Sequence, residues 1–122
     1  MKYLCLVYYD ENRIDAMTAA EWDSLVGECM NCGETLTRSG HMLGGESLQP
    51  VRTATTVRVR NGKVSTTDGP FAETREQLAG FYFIEARDLN DAIQVAAKIP
   101  PARLGSIEIR PIRELHVEGT VR

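Results

Sequence analysis

After Lys2, the segment Tyr3-Leu4-Cys5-Leu6-Val7-Tyr8-Tyr9 has no charged or amide side chain. A strand sends successive side chains to opposite faces, so this run is apolar on both, the pattern of a central strand covered from two sides. Residues 80–86, carrying Phe81, Tyr82, Phe83 and Ile84, have the same character. The chain must therefore build a sheet with two apolar faces and find cover for each. At 122 residues it has the size of one domain, and a composition 43% hydrophobic and 25% charged supplies a core while setting disordered and fibrous classes aside. Residues 1–122 are read as a single domain.

Between these strands the periodicity changes. Thr18 and Glu21 have capping-box spacing, with Met17 and Trp22 placed for a hydrophobic staple. Trp22, Leu25, Val26, Cys29, Gly33 and Leu36 then recur at helical steps until Ser39-Gly40, where Gly40 suits a left-handed C-cap. Residues 41–50 predict a short strand, bent or bulged at Gly44-Gly45 and lying at or near an edge. Residues 55–60 alternate strictly and meet Asn61-Gly62, a type I′ hairpin signal, with residues 63–67 as the returning strand. A turn at Asp68-Gly69-Pro70-Phe71 precedes a polar stretch, residues 72–77, read as one helical turn. Asp88 caps a second helix whose period, Leu89, Ala92, Ile93, Ala96 and Ala97, runs until Pro100-Pro101. Residues 106–112 alternate again as a last strand, and the tail from Leu115 is polar.

Strand, helix, strand, an added β-hairpin, strand, helix, strand is the order of an α+β fold of ferredoxin-like βαββαβ type, with helices on one face of the sheet. The other face then stays open. Pairing two such faces across a two-fold axis removes the exposed patch, so a homodimer is expected.

Charge and cysteine content narrow the partners. The net charge is −3 and Lys and Arg are interspersed with acidic residues, leaving no basic stripe for a phosphate backbone. The N-terminal apolar run is too short to span a bilayer and lacks a small-residue cleavage site, so neither membrane nor secretion is expected. Three cysteines, an odd number, in a chain with its own core point to free thiols in a reducing compartment, the cytoplasm.

The run Thr67-Asp68-Gly69-Pro70-Phe71-Ala72-Glu73-Thr74-Arg75-Glu76-Gln77-Leu78-Ala79-Gly80-Phe81-Tyr82 resembles the DGPF branch of the YCII-related proteins. Similarity continues through Ile84-Glu85-Ala86-Arg87-Asp88-Leu89-Asn90, Ala97-Lys98-Ile99-Pro100 and Glu108-Ile109-Arg110-Pro111, and includes the opening Met1-Lys2-Tyr3-Leu4. The resemblance implies a ferredoxin-like protomer assembling as a dimeric α/β barrel. It also implies a small bacterial protein, of a kind often encoded near extracytoplasmic-function sigma factors or fused to related regulators. Some YCII relatives act on small hydroxylated or chlorinated aromatics, with a histidine on the first helix and an aspartate after the mid-chain strands as an acid–base pair. No histidine occurs between Thr18 and Gly40, where Trp22 stands in that position; the aspartate carries over to Asp68.

Asp68 is a candidate general base, since an apolar barrel mouth would desolvate its carboxylate; the alternative is that it caps the Gly69-Pro70 turn. Phe71 and Tyr82 are candidates to stack a ligand ring or, alternatively, to fill core or dimer interface. Arg58 and Arg75, with Arg52, are placed to meet an anion or simply to solvate the surface. His41 is a candidate general acid, or a helix-end histidine favoured by the dipole. Cys29 and Cys32 form a C-x-x-C far from a helix N-terminus, where nothing stabilises a thiolate, so packing is expected for them. His116 has no second ligand at metal spacing, and Gly44-Gly45 is no phosphate loop, so neither a metal nor a cofactor is expected.

Two readings of function stay open. One is a cofactor-independent small-molecule-binding protein, or a lyase- or isomerase-like enzyme using Asp68 in acid–base chemistry. The other is a non-catalytic regulatory or interaction module with a protein partner.

Overall fold

The computed structural model describes residues 1–116. Its four-stranded sheet has the order β2 (Met42–Ser47), β5 (Gln77–Glu85), β1 (Lys2–Tyr9), β6 (Ser106–Pro111), and every neighbouring pair is antiparallel. The apolar runs β1 and β5 occupy the centre, paired from Lys2 opposite Glu85 to Tyr9 opposite Gln77. This is the ferredoxin-like α+β arrangement expected from the order of elements. Among the described residues no helix is long and apolar enough to cross a membrane.

Alternation sorts the central strands into two faces. Tyr3, Cys5, Val7 and Ile84 are buried in one cluster with Cys32 and Leu36 from the long helix α2 (Ala19–Arg38) and with Ala92, Val95 and Ala96 from α3 (Leu89–Ala96). Leu4, Leu6, Tyr8, Phe81 and Phe83 fall on the opposite face, half-buried and outside that cluster.

Local chemistry sets the helix ends. Thr18 Oγ1 accepts from the Glu21 amide at 3.1 Å and Glu21 Oε1 accepts from the Thr18 amide at 2.9 Å, completing the capping box. At the other end His41 N–H donates to the Leu36 carbonyl and Gly40 N–H to that of Thr37, a Schellman motif that puts Gly40 at φ +81°. Asp88 Oδ1 caps α3 by accepting from the Asp91 amide at 2.8 Å.

Several elements differ from expectation. A five-residue helix α1 (Glu11–Asp15) follows β1, nucleated by Asp10, whose side chain accepts from the Asn12 amide; five residues carry too little periodicity to be read. Residues 72–76 form bends, not a helical turn, and β5 starts earlier than read, at Gln77. Helix α3 stops at Ala96, and Pro100 opens a 3₁₀ turn (Pro100–Arg103) instead of ending the helix directly. The hairpin of β3 (Thr55–Arg60) and β4 (Lys63–Asp68), closed by Asn61 at φ 52° and Gly62 at φ 75°, is a separate two-stranded sheet. Val57, Val59 and Val64 share one of its faces, each more than half exposed.

Gly27 lies exposed in the interior of α2, and a Cβ there would meet nothing within 4 Å. Gly27→Ala is therefore expected to stabilise the fold by about 0.5–1 kcal/mol, and Thr18→Ala to destabilise it by ~1 kcal/mol, both read from urea melts.

Candidate functional site

A cavity of about 430 Å³ opens between α2 and the β2–β5 side of the sheet. Its roof is one stripe of α2: Trp22, Leu25, Val26, Cys29, Met30 and Gly33. Its floor includes Gly45 and Gly80, which the strand register turns toward the helices, Gly45 opposite Tyr82 and Gly80 opposite both Val7 and Ser47. The strands approach closely here: a Cβ on Gly80 would stand 2.6 Å from the Glu46 carbonyl oxygen, and one on Gly45 2.7 Å from that of Phe81. Glycines in the floor beneath a stripe containing Gly33 and Cys29 leave space that Leu36 and Cys32 fill further along the helix.

The walls are apolar, with Tyr9, Tyr82 and Met42 closing them. The Tyr82 hydroxyl and the Cys29 thiol both belong to this lining. Burial, followed by the neighbouring thiols, holds the Tyr82 hydroxyl well above the ordinary phenol range. Burial first, then Cys32 and Glu28, raises the Cys29 thiol, and burial followed by the Glu11 charge raises Tyr9. Near neutral pH these groups are uncharged hydrogen-bonding atoms. Among the described residues, Glu46 alone of the lining has a carboxylate or a basic group. It pairs with Phe81, between positions 45 and 47 that face the helices, so alternation sends both side chains to the opposite sheet face and leaves their backbone at the cavity.

The model of the YCII-related domain matches residues 1–116. The chain belongs to the YCII-related family. A protein of Rhizobium meliloti (strain 1021), described as uncharacterised, is 33% identical over 114 residues, 92% of each chain.

Of the candidate catalytic and binding residues named from the sequence, this YCII-related chain brings only Tyr82 to the cavity. Asp68 ends β4 opposite Thr55 and is exposed, without the burial that was to desolvate it. The alternative cap is not what holds its turn either: Gly69 N–H donates to the Ala54 carbonyl at 2.7 Å and Thr56 Oγ1 to the Gly69 carbonyl at 2.8 Å. Phe71 is 81% exposed, Arg52 and Arg75 are exposed, and Arg58 is half-buried on the hairpin. These residues stand apart because the hairpin pairs with itself and not with the four-stranded sheet.

His41 lies in a second, more open depression that shares no lining residue with the cavity. Its Nδ1 is 2.7 Å from Ser39 Oγ and its Nε2 3.3 Å from Asp91 Oδ2, while Asp91 also accepts from the Arg87 amide at 3.0 Å. The chain Ser39–His41–Asp91 ties the end of α2 to the first turn of α3, a structural role. The cysteines are free, and burial pushes Cys5 up to about 11 and raises Cys32; of the C-x-x-C, Cys32 packs in the core and Cys29 lines the cavity. Tyr9, Cys29, Met30, Met42, Gly45 and Gly80 were not read as site residues. The one local signal for them was a helical stripe narrowing to Cys29 and Gly33 alongside glycines in two strands.

The Asp91 carboxyl is held below its ordinary value, first by the Arg87 amide, with the Arg87 side chain and His41 adding to it against some desolvation. A depressed folded-state pKa contributes stability that is present above the unfolded carboxylate's pKa and lost as pH falls through the folded value. Asp91→Asn is expected to lower stability at neutral pH and to flatten the acid limb of stability against pH below about pH 4, measured by urea melts across that range.

Proposed function

We propose that this YCII-related protein binds a small, largely apolar molecule in the cavity beneath α2. The observation that carries this reading is the cavity itself: about 430 Å³, within the size range of small-molecule sites, walled by apolar and aromatic side chains with a few uncharged polar atoms. Asp68 and His41 lie outside its lining, so the reading is binding and not acid–base catalysis.

Trp22, the chain's one tryptophan, borders the cavity and is 41% exposed, so its fluorescence reports occupancy. Titration with apolar ring compounds is expected to shift or quench that emission and to raise the melting temperature by mass action. Gly33 lines the cavity, and a Cβ added there would meet nothing within 4 Å, so Gly33→Leu is expected to fill the space and weaken binding at least ~10-fold while the chain stays folded. Unchanged affinity in that variant would remove the cavity as the site.

We further infer a homodimer formed through the open sheet face. Leu4, Leu6, Phe81 and Phe83 lie together there without the helical cover the other face has, and burying them against a second copy removes an apolar patch. Leu6→Glu is expected to convert a dimer to a monomer in sedimentation velocity; a wild-type chain that sediments as a monomer at micromolar concentration overturns the inference.

A further inference from the structure

Resting on the binding reading, we propose that the cavity is a slot for an uncharged, flat ring compound that presents one hydrogen-bonding group to Tyr82, and that it rejects the anionic and cationic forms of the same compound. Shape supplies the first half. Gly45 and Gly80 keep two neighbouring strands low between the side chains of Val7, Met42 and Tyr82, and a flat molecule fits the gap between such a floor and the helix. The roof above it is equally low in relief at Gly33 and Cys29, and Tyr9, Trp22 and Tyr82 put ring surfaces around the sides. Its volume of about 430 Å³ is room for one or two fused rings.

Electrostatics supplies the second half. Among the described residues, no Lys, Arg, His or Asp lines the cavity, and the Glu46 side chain is on the other face by register. A carboxylate or phosphate entering it would lose water and gain no countercharge. An ammonium would find ring faces but no carboxylate, and ring faces alone do not replace the hydration it would give up against an apolar lining. The same burial already keeps the Tyr82 hydroxyl and Cys29 thiol in their neutral forms. What the slot offers is a neutral donor and acceptor at Tyr82, backed by a polarisable thiol, and two methionines, Met30 and Met42, that adapt to a ring edge.

Four probes of one shape separate these terms by titration calorimetry at neutral pH: naphthalene, 2-naphthamide, 2-naphthoate and 2-naphthylmethylammonium. The amide is expected to bind best, naphthalene more weakly, and both ions at least ~100-fold more weakly than the amide. Tyr82→Phe is expected to reduce amide affinity by ~3–10-fold and to leave naphthalene unchanged, the loss of one neutral hydrogen bond. If either ion binds within tenfold of the amide, or Tyr82→Phe weakens naphthalene as much as the amide, the charge and hydrogen-bond selection is overturned while binding in the cavity stands. If no probe binds, naphthalene included, the binding reading falls and this inference with it.

Discussion

The antiparallel pairing of β1 with β5 is the interaction on which the rest of the molecule depends. Both strands are apolar on both faces, so placing them side by side at the centre concentrates hydrophobic surface on the two sides of one sheet. On one side Tyr3, Cys5, Val7 and Ile84 are sealed by α2 and α3. On the other, Leu4, Leu6, Phe81 and Phe83 are half-buried and lie outside that cluster. A single pairing thus creates both a closed core and an unfinished face.

The cavity arises from a second constraint, the close contact of β2 with β5. Glycines stand where a side chain would collide with the neighbouring strand's carbonyl, at Gly45 also with the Met42 side chain, and their lack of side chains lowers the floor. Glycine here serves sheet geometry first, and the low floor follows from it. Because the residues of α2 above are Val26, Cys29 and Gly33 and not a row of leucines, the helix does not fill the gap. The site is therefore a product of small residues in three elements, none of which bears a reactive group.

The same origin in small residues explains what was legible in the sequence and what was not. Strands announced by apolar runs, the capping box at Thr18 and Glu21, the Gly40 terminus and the Asn61-Gly62 turn are all local signals, and each appears where its pattern placed it. Asp68, Phe71 and Arg75 drew attention because their chemistry is conspicuous, yet nothing local shows whether a hairpin folds onto the main sheet or pairs with itself. Tyr82 was legible as an aromatic on a central strand. Cys29, more than fifty residues away in sequence, looked like packing alone, and nothing local placed it in the same cavity lining as Tyr82. His41 was read from the helix end, and its tie to Asp91 depended on a helix fifty residues later.

The position of α2 over the floor is set mainly from its C-terminal half. Leu36 and Cys32 are buried, the Cys32 thiol donates to the Lys98 carbonyl at 3.5 Å, Glu28 pairs with Arg103 on the 3₁₀ turn, and the Schellman motif leads straight into β2. Ser39, His41 and Asp91 lock that same end to α3. Toward the N-terminus the helix has only Leu25 fully buried, with Trp22 and Met30 open to solvent at the cavity. The anchored half fixes the height of the slot, and Trp22 stands at its solvent-open side. The polar cluster around His41 thus bears on the cavity without touching it, by fixing the end of the helix that forms its roof.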